Sequence, residues 1–102
     1  MSYTLVLRRE AEIDLDEIFV WYEIQKDGLG FDFIAQFEQT LQKILNNPYY
    51  TVAIFEDARR ATFKRFPYEI IYRVDELNSE IRILAIIHQR RDPEWFRKKL
   101  KD

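Results

Sequence analysis

The sequence has no cysteine and only one histidine, which excludes two common ways of stabilising a small domain. Without cysteine there is no disulfide framework, and one histidine is too few for the usual tetrahedral zinc sites. We therefore expect neither a structural metal nor a cofactor. Glycine and proline are also scarce, at 2 and 3 of 102 residues, which argues against a flexible or low-complexity chain.

Long apolar runs are missing as well. The run from Ile83 to Ile87 is far shorter than the roughly 20 residues that span a bilayer. Residues 1–9 hold no apolar core of signal-peptide length, so we expect a cytoplasmic protein without a membrane partner. The chain is instead 47% hydrophobic, 16% aromatic and 33% charged, the balance of one domain spanning residues 1–102.

Charge is distributed unevenly along the chain, although the formal net charge is only -2. Residues 1–50 carry four Lys or Arg against nine Asp or Glu, whereas residues 51–102 carry twelve against nine. This asymmetry suggests that one face of the folded protein meets an anionic partner.

The first half of the chain predicts one strand followed by two helices. Residues 3–7 are rich in β-branched and aromatic side chains, which is typical of a strand. Apolar side chains then recur at spacings of three and four, first from Ala11 to Tyr22 and again from Ile34 to Leu45. A short turn around Gly28 joins these helices, so they must fold into an antiparallel hairpin.

The second half predicts four more strands and a short C-terminal helix that begins at Asp92 and Pro93. The whole order indicates an α+β fold, with an N-terminal strand and an antiparallel helical hairpin packed on a mostly antiparallel sheet of about four to five strands. The predicted strands are residues 51–55, 61–66, 69–74 and 81–87.

Positive side chains of the second half are candidates for an anion-binding surface. If the predicted strands are neighbours, these side chains converge on one region of the sheet, where several donors could bind phosphate oxygens. The alternative is that they are solvated or paired with acids, as surface arginines commonly are. The candidates are Arg59, Arg60, Lys64, Arg65, Arg90 and Arg91.

His88 is a candidate for acid–base chemistry at the end of the last predicted strand. Its ring could exchange protons near neutral pH, with Asp92 orienting it. The simpler interpretation is that His88 binds a loop and Asp92 caps the following helix. The chain has no glycine-rich phosphate loop and no serine triad, and the carboxylates of Asp14, Asp16 and Glu17 are predicted to be a solvated helix face.

Sixteen aromatic residues are more than such a small domain can hide, so some of them are expected to form a protein-binding patch. Trp21 lies off the apolar stripe of the first predicted helix, and Trp95 and Phe96 lie on the C-terminal one. The alternative for Trp95 and Phe96 is that this terminal helix folds back and buries both in the core.

Taken together, the order and spacing of several motifs resemble toxins of the RelE/ParE superfamily from type II toxin–antitoxin systems. The resemblance covers nearly the whole chain and implies the same fold, a helical hairpin on a small antiparallel sheet. The motifs are Trp21-Tyr22, Gly28-Leu29-Gly30 with Phe33, Asn47-Pro48, Phe66-Pro67-Tyr68, and His88 with Arg91-Asp92-Pro93 and Trp95.

The superfamily divides by activity, and the resemblance implies a branch through specific residues. RelE-like members are ribosome-dependent, metal-independent mRNA endoribonucleases, whereas ParE-like members poison DNA gyrase. The RelE pattern has an arginine, a lysine and a terminal tyrosine where this chain has Glu69, Thr62 and Phe96. These departures favour the ParE-like branch, without catalysis. Two alternatives stay open: an mRNA nuclease using His88, Arg90 and Lys64, and an inactive relative that only binds its antitoxin.

The ParE-like resemblance implies two binding surfaces. A cognate antitoxin is expected to fold on the toxin and form a hetero-oligomer, covering an apolar groove lined by Trp21, Phe33 and Phe37. The alternative is that these three side chains face the sheet. The expected target-binding residues are Arg59, Arg60, Lys64, Arg90, Arg91 and Trp95.

Overall fold

The computed structural model describes residues 2–90 and residue 98, arranged as two helices and five strands. The predicted C-terminal helix, apart from Lys98, lies outside the described residues, and so do Arg91, Trp95 and Phe96. The elements are β1 (Thr4–Leu7), α1 (Arg9–Gln25), α2 (Leu29–Asn46), β2 (Ala53–Phe55), β3 (Ala58–Thr62), β4 (Tyr68–Asp75) and β5 (Glu80–His88).

The five strands form one sheet in the order β1-β5-β4-β3-β2. Strand β1 runs parallel to β5, and the other neighbouring pairs are antiparallel, which confirms the mostly antiparallel sheet predicted from the sequence. Asp75 holds the tight connection between β4 and β5 because its Oδ1 accepts the backbone N–H of Asn78 at 3.2 Å. Strand β5, with β1 and β4 on its two sides, is buried on both faces of the sheet from Ile83 to Ile87.

The helices form the predicted hairpin, and two glycines permit its tight turn. Gly28 has φ +89°, a left-handed conformation that other residues adopt at a cost. A Cβ on Gly30 would lie 2.7 Å from the carbonyl oxygen of Phe19, so only glycine fits where α2 passes α1. The Glu23 carboxylate accepts the N–H groups of Gly28 at 3.2 Å and Gly30 at 2.8 Å, which satisfies donors that the start of α2 would otherwise leave unpaired.

The main core lies between the helical hairpin and one face of the sheet, which we call the helix face. Aromatic rings fill it at the end nearest the hairpin turn, where Phe33 is fully buried and its ring centroid lies 5.3 Å from that of Phe66. The opposite or second face carries a smaller buried apolar cluster formed by Ala58, Ile71, Leu84, Ala85 and Ile87.

Strand β3 begins and ends earlier in the chain than its predicted range of 61–66. It starts at Ala58, directly after a turn in which Glu56 has a positive φ of 53°. Phe63 and Phe66 belong to the β3–β4 connection, where both are buried against the helix-face core. Apolar side chains in a loop that folds onto a core produce the same local pattern as a strand. Within the described part of the chain, neither helix combines the length and apolar character needed to cross a membrane.

Candidate functional site

Two backbone hydrogen bonds bring several candidate residues to one end of the sheet. The N–H of Gln89 donates to Pro67 O at 2.9 Å, and the N–H of Phe63 donates to Tyr68 O at 3.2 Å. The β3–β4 connection therefore lies beside the end of β5, a region we call the His88 end. It holds His88, Arg90, Lys64 and Arg65.

His88 is half-buried, and two contacts fix the orientation of its ring. Its ring packs edge-on to Tyr68, with 5.3 Å between centroids, and its Nδ1 accepts the backbone N–H of Arg90 at 3.1 Å. Because Nδ1 is an acceptor, the proton of the neutral ring lies on Nε2. His88 lines a cavity of about 270 Å³ on the helix face together with Glu17 and Trp21.

Arg59 and Arg60 do not share a surface, contrary to the predicted convergence. Neighbouring residues of a strand project to opposite faces, so Arg59, opposite Tyr72, lies on the helix face, whereas Arg60, opposite Ile71, lies on the second face. The Arg59 guanidinium donates to Thr51 O and lies 4.9 Å from the centroid of the Tyr49 ring. Strand β3 therefore separates the pair.

The remaining described candidates, all positively charged, differ in whether an acidic side chain lies close to them. Arg65 lies 3.5 Å from the Asp32 carboxylate at the start of α2 and 5.2 Å from the centroid of the Phe66 ring. Lys64 and Arg90 are exposed, and neither forms an ion pair within the described residues. The candidates Arg91 and Trp95 lie outside that range. Lys64 and Arg90 are thus positive charges at the His88 end that are not paired with an acid of the described part of the chain.

Glu69 is a buried carboxylate on the second face, near the start of β4, the central strand of the sheet. Its side chain is 2% exposed, its Oε2 lies 3.5 Å from Arg60 Nε, and its Oε1 has no hydrogen-bond partner in the described structure. Burial raises the pKa of Glu69, and the attraction of Arg60 offsets that rise only in part. Arg60 is therefore paired with an internal anion on the second face of the sheet.

The prediction of an exposed groove lined by Trp21, Phe33 and Phe37 is wrong for Phe33 and Phe37. Phe33 is 0% exposed and Phe37 is 4% exposed, because both lie on the apolar stripe that α2 turns towards the sheet. Trp21 alone is exposed, at 54%. The spacing of Phe33, Phe37, Leu41 and Ile44 along one helix face was the sequence signal for their burial.

The structure adds two features of α1 to what the sequence indicated. Asp14, predicted to be part of a solvated face, accepts the backbone N–H of Ile86 at 3.0 Å and so ties α1 to β5. Ile13, Val20 and Ile24 leave apolar surface exposed on the side of α1 away from the sheet. In the sequence, Ile24 lies off the apolar stripe of α1, and this position was the signal for its exposure.

Within residues 2–90, no three His, Asp or Glu side chains gather as a metal site would require.

The two-helix hairpin on a mostly antiparallel five-stranded sheet matches the fold of RelE/ParE toxins. The family described as the ParE toxin of the type II toxin–antitoxin system parDE matches residues 5–93. The chain belongs to this family, and it is a toxin of the type II toxin–antitoxin class. No curated protein matches it by sequence.

Solved structures share the fold at low sequence identity. The chromosomal ParDE toxin–antitoxin system from P. aeruginosa has a TM-score of 0.72 at 21% identity, over 85% of this chain and 96% of that one. The intact E. coli RelBE complex has a TM-score of 0.68 at 15% identity, over 88% and 100%. The RelE–RelB complex from Pyrococcus horikoshii has a TM-score of 0.56 at 14% identity, over 90% and 100%. At such identities the likeness concerns the fold alone.

Proposed function

We propose that this protein is a ParE-like toxin that inhibits bacterial growth by binding and poisoning DNA gyrase, and that it is not an enzyme. Membership of the ParE toxin family supports this choice of target. So does the P. aeruginosa structure, which is described as a ParDE system. The target would be met in the cytoplasm, and no cofactor is needed for a binding function.

The buried Glu69 carboxylate is the observation that carries the proposal against a RelE-like nuclease. Cleaving a phosphodiester develops negative charge, which such an enzyme must stabilise with cations. Glu69 adds no positive charge for this purpose, and its carboxylate already pairs with Arg60 at 3.5 Å.

The proposed contact with the target is the His88 end of the toxin. Lys64 and Arg90 lie there without an internal ion pair in the described residues, and Arg91 and Trp95 follow directly in the sequence. Arg59 and Arg60 leave this proposed surface, because each already has an internal partner. A cognate antitoxin would neutralise the toxin as a hetero-oligomer, as the toxin–antitoxin complexes among the structural neighbours suggest.

Induction of the protein in bacteria tests the proposal, with plasmid supercoiling and mRNA ends measured in parallel. We expect growth arrest and loss of supercoiling with intact mRNA. Replacing both Arg90 and Arg91 with Glu should abolish arrest and leave the circular dichroism spectrum unchanged. Arg9→Glu, an exposed charge reversal at the start of α1, is the control and should still arrest growth.

Two other results would overturn the proposal. Fresh translation-dependent mRNA ends that disappear in His88→Ala would identify the nuclease alternative. Absence of arrest, in a protein that still binds its antitoxin, would identify an inactive relative.

A further inference from the structure

The cavity beside His88 differs in composition from the surface around it. Among the residues of its lining that the structure describes, none is Lys or Arg, although Lys64 and Arg90 lie at the same end of the sheet. Besides isoleucine side chains, the described lining has two carboxylates and three rings, those of Asp14, Glu17, Trp21, Tyr68 and His88. The His88 end therefore combines an acidic, aromatic cavity with basic residues nearby.

The cavity is built by one helix and two strands. Asp14, Glu17 and Trp21 are separated by three and four residues, so they lie along one side of α1. That side approaches the sheet where a backbone N–H of β5 donates to Asp14 at 3.0 Å. Tyr68 and His88 are partners across β4 and β5, and their ring centroids are 5.3 Å apart. The carboxylates therefore come from the helix, whereas two of the rings come from the sheet.

The chemistry of the lining favours a positively charged ligand. Glu17 is exposed and forms no ion pair within the described residues, and Trp21 is 54% exposed, so both are accessible. A carboxylate attracts a cation by its charge, and the face of an aromatic ring attracts it by its quadrupole. The same carboxylates repel the phosphates of a nucleic acid. The cavity therefore discriminates between cations and anions.

The size of the cavity favours a single side chain. Its volume of about 270 Å³ is below the roughly 300–1,000 Å³ of sites for drug-sized ligands. Among cationic side chains, the guanidinium of arginine is planar and weakly hydrated, and it can stack on a ring while it forms two parallel hydrogen bonds with a carboxylate. The ammonium of lysine is a strongly hydrated point charge and cannot do both. Arginine therefore fits the cavity better than lysine.

We propose that this cavity binds an arginine side chain of a partner protein, with the guanidinium paired to Glu17 and stacked on Trp21. Because Lys64 and Arg90 lie at the same end of the sheet, acidic residues of the partner should flank that arginine. The proposal rests on the proposed function in one respect, the identity of the partner as the target protein of the toxin.

The direct test is an NMR titration of the full-length, nitrogen-15-labelled protein with three capped amino acids. The probes are N-acetyl-arginine methylamide and the matching citrulline and lysine compounds, of which citrulline keeps the shape of arginine without its charge. We expect the arginine probe to cause saturable shifts of the Glu17 and His88 backbone amides and of the Trp21 indole N–H. The citrulline probe should bind at least about tenfold more weakly, and the lysine probe about threefold more weakly.

Two variants with matched controls locate the binding. Glu17→Gln removes the charge and should weaken binding of the arginine probe about fivefold or more, and Trp21→Leu removes the ring and should weaken it about threefold or more. Both positions are exposed, so the rest of the NMR spectrum should be unchanged. Glu38→Gln and Phe31→Leu make the same kinds of change at exposed positions of α2 and should leave the affinity within about twofold.

Three results of the titrations would overturn the proposal. The first is binding of the citrulline or lysine probe as tight as that of the arginine probe. The second is an affinity for the arginine probe that Glu17→Gln leaves unchanged. The third is a short DNA duplex that shifts the Glu17 amide and the Trp21 indole as the arginine probe does, because a nucleic acid would then be the occupant.

Growth assays separate this proposal from the proposed function. Glu17→Gln and Trp21→Leu should lose growth arrest at wild-type levels of folded protein, whereas Glu38→Gln should keep it. Full arrest by both cavity variants would overturn the assignment of the arginine to the target, and arrest that escapes rescue by the antitoxin would assign it to the antitoxin instead. A wild-type protein that does not arrest growth refutes the toxin function, yet leaves the titration to decide the arginine site.

Discussion

The sequence alone identifies Glu69 as a residue of interest, but it does not reveal the surroundings of this side chain in the fold. Its departure from the nuclease pattern is visible in the sequence, but its burial arises because β3 and β5 flank it on both sides and apolar side chains share its face. The ion pair with Arg60 follows from a strand register that local sequence does not encode. The sequence therefore shows that a glutamate stands at this position, whereas its burial and its ion pair with Arg60 are known only from the structure.

Replacing Glu69 with Gln should stabilise the fold at neutral pH. Burial raises the pKa of Glu69 in the folded state, so the carboxyl group contributes most to stability below its unfolded pKa, and this contribution is lost as pH rises through the folded pKa. Gln keeps the shape without the charge. We expect the Tm of Glu69→Gln to exceed that of the wild type by a few degrees at pH 7 and the difference to shrink on acidification. Glu38→Gln serves as the exposed control, and a lower Tm of Glu69→Gln at pH 7 would mean that the Arg60 pair outweighs burial.

Helices and strands could be predicted from the sequence where a regular spacing of apolar residues extends over several residues. Both helices and strands β4 and β5 follow from apolar spacing, because each repeats its pattern over several residues. Strand β3 was misplaced because Phe63 and Phe66 are apolar for a different reason, namely that their loop folds onto the core. The contact between Asp14 and Ile86 joins residues 72 positions apart and leaves no trace in either local pattern.

The hydrogen bond from Ile86 N–H to Asp14 attaches α1 to β5 beyond the last residue that β1 pairs. Strand β1 pairs with β5 only through Ile83, and the Asp14 carboxylate accepts a donor further along. Asp14→Ala should cost about 1–3 kcal/mol of unfolding free energy, because a buried N–H loses its acceptor. Hydrogen exchange of the Ile86 amide should accelerate. Asp16→Ala, at an exposed position on the same helix, should do neither, and unchanged exchange in Asp14→Ala would contradict the attachment.

At the scale of the whole molecule, the hairpin and the sheet share one core. Tyr22 of α1 and Phe33 of α2 meet Phe66 of the β3–β4 connection, with ring centroids 4.9 Å and 5.3 Å apart. Such shared packing leaves neither layer stable alone, so we predict that residues 1–102 unfold as one domain.

Thermal unfolding tests this prediction through two signals, far-UV circular dichroism for the helices and near-UV circular dichroism for the aromatic core. The two transitions should coincide. Phe33→Ala should lower both midpoints together, at a cost of about 3–5 kcal/mol, whereas Phe31→Ala at a 65% exposed position should change neither appreciably. Separate transitions would show that helices and sheet are independent units.

The pairing of Thr4 with Glu80 can form only after both strands have been synthesised. Among the described strands, β1 pairs with β5 alone, and β5 is the last of them along the chain. Closing so long a loop is entropically expensive and slow compared with forming the hairpin. An interval therefore exists, between formation of the helical hairpin and completion of the sheet, in which a binding partner can meet the nascent chain.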